Sequence, residues 1–170
     1  SQFFFLTKSP ENYARWVPEY GFSRCHRGYP GQDYVATQWP DNAFLGATAW
    51  DACSFTKACN YLGKVAAKHK WLSLEPLLGP VADTGADKFM KAKGIELVVI
   101  GAQSRPKKLP EWEWVKSLID AADQAGIPVW LKNNLGLPKL SCDGEIPFYK
   151  KHLTGTMELR QDLPMSCVFT

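Results

Sequence analysis

No stretch of this chain has the roughly 18 consecutive apolar residues that a membrane-crossing helix needs. The opening SQFFFLTKSP has neither the basic leader nor the cleavage motif of a signal peptide. It also lacks an initiating methionine and starts almost inside an apolar run, so a cut or processed N-terminus is expected. Cysteine is sparse and scattered, at Cys25, Cys53, Cys59, Cys142 and Cys167. There is no C-x2-C pair and no tight three-cysteine group, which argues against an iron–sulfur cluster held within this chain. An odd number of thiols and no secretion signal point to reduced cysteines and a cytoplasmic location. Cys53 and Cys59 are six apart, so on one helix they would not face each other. His26, His69 and His152 are isolated, none with a metal-ligand partner at helical spacing, and no metal site is expected. The net charge of +3 is too small to argue for nucleic acid by itself.

What is present is apolar and aromatic. Apolar residues make up 45% of the chain and aromatics 13%, enough to bury a sizeable core and to exclude disorder. One domain is expected for 170 residues. The organising stretch is residues 71–80, WLSLEPLLGP. Trp71, Leu72, Ser73 and Leu74 read as a buried strand that stops at Glu75-Pro76, because proline cannot donate to a ladder. Glu75 is then expected as the last strand residue, with its carboxylate at the strand's C-terminal tip. A carboxylate belongs at a strand tip only if it meets water, a ligand or a cation.

Other segments repeat this plan. Phe3 to Thr7 reads as a first strand ending at Lys8. Ser9-Pro10 then starts a short helix with Tyr13, Trp16 and Val17 on one face. Residues 19–42, rich in Gly, Pro and Tyr, read as a long loop of the kind that is usually functional or mobile. Residues 44–50, FLGATAW, form strand two. Asp51 is the expected N-cap of a helix over residues 51–68, with Phe55, Cys59 and Leu62 on its apolar face. A short helix over 83–93 closes at Gly94. Strand four covers 96–100, and a clear amphipathic helix covers 111–125, capped by Gly126. Strand five covers 128–131 and leads into Lys132-Asn133-Asn134. Beyond Leu135 the pattern weakens, with short strands or turns expected over 148–153 and 157–163.

Strands alternating with helices imply βαβ units and an α/β fold with a five-stranded parallel sheet. The sheet is either open and doubly wound or part of a (β/α)8 barrel. In both, ligands bind at the C-terminal ends of the strands. Those ends supply Thr7, Lys8, Thr48, Trp50, Glu75, Gln103, Ser104, Lys132 and Asn133 as candidate cofactor- or substrate-binding residues. Any one of them could simply begin a loop, where polar residues are common. Glu75 and Lys132 stand out because both directly follow apolar strand cores, where an unpaired charge is costly; they could also pair with each other. Gly101-Ala102-Gln103-Ser104 has a glycine that would let backbone approach a phosphate or ribose. Arg105, Lys107 and Lys108 form a small basic group beside it. Trp39 and Trp50 are candidates for stacking on a base.

Five segments, in order, carry a family resemblance: FFFLTKSPENYARWVP, WPDNAFLGATAWD, KWLSLEPLLGPV, ELVVIGAQSRP and GIPVWLKNNLG. They resemble a phage-associated family of uncharacterised, radical-SAM-like proteins, in which the third segment reads like RFVSxEPLLGP and the fourth like VIVGGESGP. The likeness covers about residues 3–136, with residues 75–80 its most specific part. It implies that this chain is the C-terminal part of a radical-SAM-type TIM barrel, a partial barrel over residues 1–136 followed by an irregular extension over 137–170. Two departures matter: the three-cysteine motif is absent, and the acidic residue of GGES is Gln103. The resemblance implies no cofactor in this chain alone. S-adenosylmethionine and a 4Fe-4S cluster would belong to a complete protein.

Two functions follow. The first is the substrate- and cofactor-facing portion of a radical-SAM-like protein, inactive by itself. The second is a non-catalytic module that binds a nucleotide or nucleic acid through the strand ends and the basic group. A missing N-terminal segment, a homo-oligomer partner or the C-terminal tail is expected to cover the aromatic edge of strand one.

Overall fold

The computed structural model describes residues 1–13, 39–82, 85–136, 148–151 and 157–164. Five strands, β1 (Phe3–Thr7), β2 (Ala43–Thr48), β3 (His69–Leu74), β4 (Leu97–Ile100) and, later in the chain, β7 (Val129–Leu131), form one sheet in the order β1-β2-β3-β4-β7. Every pairing is parallel. Among the described residues three longer helices lie between them: α1 (Ala52–Lys64), α2 (Ala86–Ala92) and α3 (Trp112–Ala125). Between β4 and α3 stands a hairpin of β5 (Gln103–Ser104) and β6 (Lys107–Lys108), and β8 (Tyr149–Lys151) pairs antiparallel with β9 (Met157–Leu159). The five parallel strands, the three longer helices and the open order agree with the α/β reading. The hairpin over 103–108 is an addition to it. The expected helix around Tyr13–Trp16 is described only to Tyr13, and residues 19–38 of the expected long loop lie outside the described residues.

Local chemistry explains the element ends. Asp51 caps α1 with a full capping box: its carboxylate accepts from the Ser54 backbone N–H at 2.8 Å, and the Ser54 hydroxyl accepts in return from the Asp51 N–H. These hydrogen bonds hold the Asp51 carboxyl below its usual range. The stability they contribute is present above the unfolded carboxyl pKa and lost as pH falls through the lowered folded value. Replacing Asp51 by alanine is expected to cost about 1 kcal/mol at neutral pH and less in acid, read from urea midpoints across that range. Gly126 ends α3 at φ 72°, the left-handed conformation that glycine adopts without strain.

The pleat sorts side chains onto two faces. Leu45, Ala47, Leu72, Leu74, Val98, Ile100, Val129 and Leu131 are buried in one core with Phe55, Leu62, Met90, Leu118 and Ile119 of the helices. Among the described residues these helices thus cover one face, and the opposite face is built in rows across the strands. Phe4, Phe44 and His69 occupy one register row and stack, with ring centroids 4.6 Å and 4.3 Å apart. His69 Nδ1 also lies 2.9 Å from Glu96 Oε2, which accounts for a histidine in an apolar row. In the next row Trp71 lies over Gly46, and its indole N–H donates to Phe44 O at 3.3 Å. The third row holds Thr48, Ser73, Val99 and Trp130.

The two sheet edges differ. Segment 160–162 runs along β7: Leu131 N–H donates to Arg160 O at 2.8 Å, Asp162 N–H donates to Val129 O at 2.9 Å, and Gln161 forms an antiparallel bridge with Trp130. The C-terminal tail, expected among the possible covers for β1, therefore lies in its described part on the other edge. The reason is the Arg160 guanidinium, which forks onto Asp123 of α3 with two 2.8 Å bonds and so fixes the segment beside β7. Among the described residues β1 pairs on one side only, with Phe3, Phe4 and Leu6 each at least half exposed.

Candidate ligand-binding rim

Because all five strands are parallel, their C-terminal ends share one rim. Backbone bonds extend this rim past the strands. Ala49 N–H donates to Ser73 O, Gly101 N–H to Leu74 O, Leu77 N–H to Gly101 O and Lys132 N–H to Ile100 O. These bonds hold Glu75, Gly101 and Lys132 in place as a fourth row above Thr48 and Ser73. Lys132 Nζ donates to Glu75 Oε2 at 2.6 Å, reaching from the tip of β7 to the tip of β3 over the end of β4. Gly101 occupies that end, and a Cβ there would sit 3.0 Å from the Glu75 carboxylate carbon. The glycine therefore makes room for Glu75 rather than for a ligand's backbone approach. The Glu75-Pro76 peptide is cis.

The pair is only partly withdrawn from water, with side-chain exposures of 44% for Lys132 and 27% for Glu75. A pair this exposed contributes at most about 1 kcal/mol to stability. Below it, Thr48 and Ser73 are 6% and 3% exposed. The arrangement offers a carboxylate and an ammonium at the rim and two hydroxyls beneath, a donor and acceptor set suited to a polar ligand.

The other sequence candidates are more dispersed. The Thr7 hydroxyl accepts from Ser9 N–H at 3.0 Å and shapes the turn after β1, and Lys8 is exposed beside it. Trp50 is exposed at the rim, where its carbonyl accepts from Leu78 N–H. Gln103 reaches back to the Arg105 carbonyl at 3.5 Å within the hairpin, and Ser104 is exposed on the same hairpin. Asn133 Oδ1 meets Gln161 Nε2 at 3.4 Å, on the side of β7 where the C-terminal segment lies. Trp39 is 5% exposed and packs edge-on against Tyr13. It is a core residue and cannot stack on a base. Tyr13, pushed up to about 12 by burial, donates its hydroxyl to Gly46 O at 2.9 Å. That stabilisation is complete below the unfolded tyrosine value and is lost as pH rises through about 12.

Asn134 is the positioning residue that sequence reading placed at the strand end without a role. Its amide grips the Ala102 backbone twice, accepting the N–H at 3.1 Å and donating to the carbonyl at 2.9 Å. It thereby ties the 3-10 turn Asn133–Leu135 to the end of β4. No local sequence pattern signals this, because the partners are 32 residues apart.

The model of the family described as Protein of unknown function (DUF5131) matches residues 1–141. The chain belongs to this family. Every rim residue lies within the matched span, whereas the segment on β7 lies beyond it. No curated protein matches the DUF5131 chain, and no solved structure does.

Proposed function

We propose that this DUF5131 chain is the substrate- and cofactor-facing portion of a radical-SAM-like (β/α) barrel, with the ligand seated over the Glu75–Lys132 pair. The observation that carries the reading is that pair. It joins the tips of two strands separated by a third, on the rim where parallel α/β sheets place their ligands. Among the described residues the helices lie on one face and side chains in cross-strand rows on the other, which supports a barrel wall over a doubly wound sheet with helices on both faces. The radical-SAM element and the phage association rest on the sequence segments quoted above. The apolar outer edge of β1 is then the attachment edge for the complementary portion of the barrel.

The residues described do not fit an iron–sulfur cluster. Among them no group of three His, Cys, Asp or Glu could hold a metal. Cys53 is exposed while Cys59 is buried, and burial pushes the Cys59 thiol up to about 12, the reverse of what a thiolate ligand needs. Glu75 and Lys132 would orient a ligand by charge and hydrogen bonding, with Thr48 and Ser73 beneath it.

The deciding experiment is anaerobic purification of the full gene product. Bound iron and a brown chromophore are expected; a colourless, iron-free full-length protein would refute the radical-SAM reading. Glu75→Gln and Lys132→Met are each expected to leave the thermal midpoint nearly unchanged, since the pair contributes at most about 1 kcal/mol. Both should weaken ligand retention on the complete protein. This chain by itself is expected to self-associate with rising concentration in sedimentation experiments, and Phe4→Lys with Leu6→Lys should suppress that association.

A further inference from the structure

The β5–β6 hairpin projects at the ligand side of the sheet, two residues beyond Gly101. Its turn holds Arg105, and Lys107 and Lys108 follow on β6. All three cations are exposed, and among the described residues none is paired with a carboxylate. Elsewhere among the described residues Lys57 meets Glu11, Lys68 meets Asp41 and Lys116 meets Asp120. The hairpin gathers its three cations within the four residues 105–108, with no acid among them.

The hairpin is also anchored. Asn134 grips Ala102 at its base, and Leu109 packs against Gly136, where an added Cβ would meet the leucine at 3.1 Å. Gln103 bonds across the turn to Arg105 O. The cations therefore stand on a fixed support, which reduces the ordering cost of engaging a ligand. Just past them Leu109 is 45% exposed and Trp112 51% exposed. Trp112 is four residues on from Lys108, a span of about 14 Å at most. Glu111 and Glu113 lie at the start of α3, where the helix dipole favours acids.

Unpaired cations beside an exposed indole match one partner class. We propose that the β5–β6 hairpin and Trp112 form a contact surface for single-stranded nucleic acid. Arg105, Lys107 and Lys108 meet successive phosphates, and Trp112 offers a face on which an unpaired base stacks. A duplex would bury its bases and leave the indole unused, and polyaspartate would offer the cations charge but no ring to place on the indole. This surface is separate from the Glu75–Lys132 pair, so it stands or falls independently of the radical-SAM reading.

The test is fluorescence anisotropy of labelled oligo-dT and oligo-U with the purified chain over a range of salt. Binding at low salt is expected, with a log–log salt slope of about −2 for three phosphate contacts on a single strand. The triple change Arg105→Gln, Lys107→Gln, Lys108→Gln should abolish most of that slope. Trp112→Ala should weaken binding by about fivefold or more at constant slope. Circular dichroism of each variant checks that it folds. A preference for oligo-U or for oligo-dT would identify RNA or DNA as the strand, and either supports the proposal. No binding at low salt, an unchanged slope in the triple variant, or equal affinity for a duplex or for polyaspartate would overturn it.

Discussion

Replacing Gly46 by valine is expected to destabilise the protein by about 2–3 kcal/mol, the upper part of the range for overpacking a filled site. A Cβ on Gly46 would sit 2.3 Å from Trp71 Cε2 and 2.5 Å from Nε1, well inside contact distance. The indole is the part that must move. It is held by its bond to Phe44 O and by the edge of the Phe4 ring. Moving it breaks that hydrogen bond and opens the row above the aromatic stack. Gly46 O also accepts from buried Tyr13, so shifting the β2 backbone instead would disturb the opposite face. The cause can be isolated with a double-mutant cycle. In a Trp71→Ala background the same Gly46→Val change should cost little, because its obstacle is gone. Equal cost in both backgrounds, read from urea midpoints, would show that the glycine serves backbone conformation and not the indole.

Arg160→Met should cost about 2–4 kcal/mol and free the C-terminal segment from β7. The guanidinium makes two 2.8 Å bonds to Asp123 and two longer ones to Asp162, and its side chain is 13% exposed. Removing it takes the cation away from two carboxylates; Asp162 is mostly buried, so the loss lies toward the range for a broken buried pair, reduced because Asp123 is half exposed. Asp123 also lies near the C-terminal end of α3, where a negative charge opposes the helix dipole and needs a compensating cation. Limited proteolysis should then cut within residues 157–164 of the variant while sparing the parent. Retained protection would mean that the backbone bonds to Val129 and Leu131 suffice alone.

The parallel strands were legible because each is a compact apolar run ended by a breaker or a polar cluster. β1 begins and ends where its pattern does, over Phe3–Thr7. β3 starts two residues earlier than its apolar run suggests, because Lys70 and His69 are admitted by tertiary partners: His69 stacks on Phe44 and meets Glu96. α1 stops at Lys64 and not near residue 68, since Ala66 O is taken by Trp39 N–H, a residue distant in sequence. The β5–β6 hairpin was missed because two-residue strands around Arg105-Pro106 have no periodicity to read.

The same division applies to the rim. Composition and periodicity by themselves determined the α/β class, the break at Glu75-Pro76 that stops β3 one residue earlier, at Leu74, the capping of α1 by Asp51 and the ending of α3 at Gly126. All of these depend on interactions within a few residues along the chain. Only the tertiary structure decided that Lys132 reaches Glu75 over Gly101, that Asn134 clamps Ala102 and that Arg160 carries the C-terminal segment to β7. Each joins groups more than 30 residues apart. Such contacts depend on which strands lie side by side, and local pattern contains no record of that order.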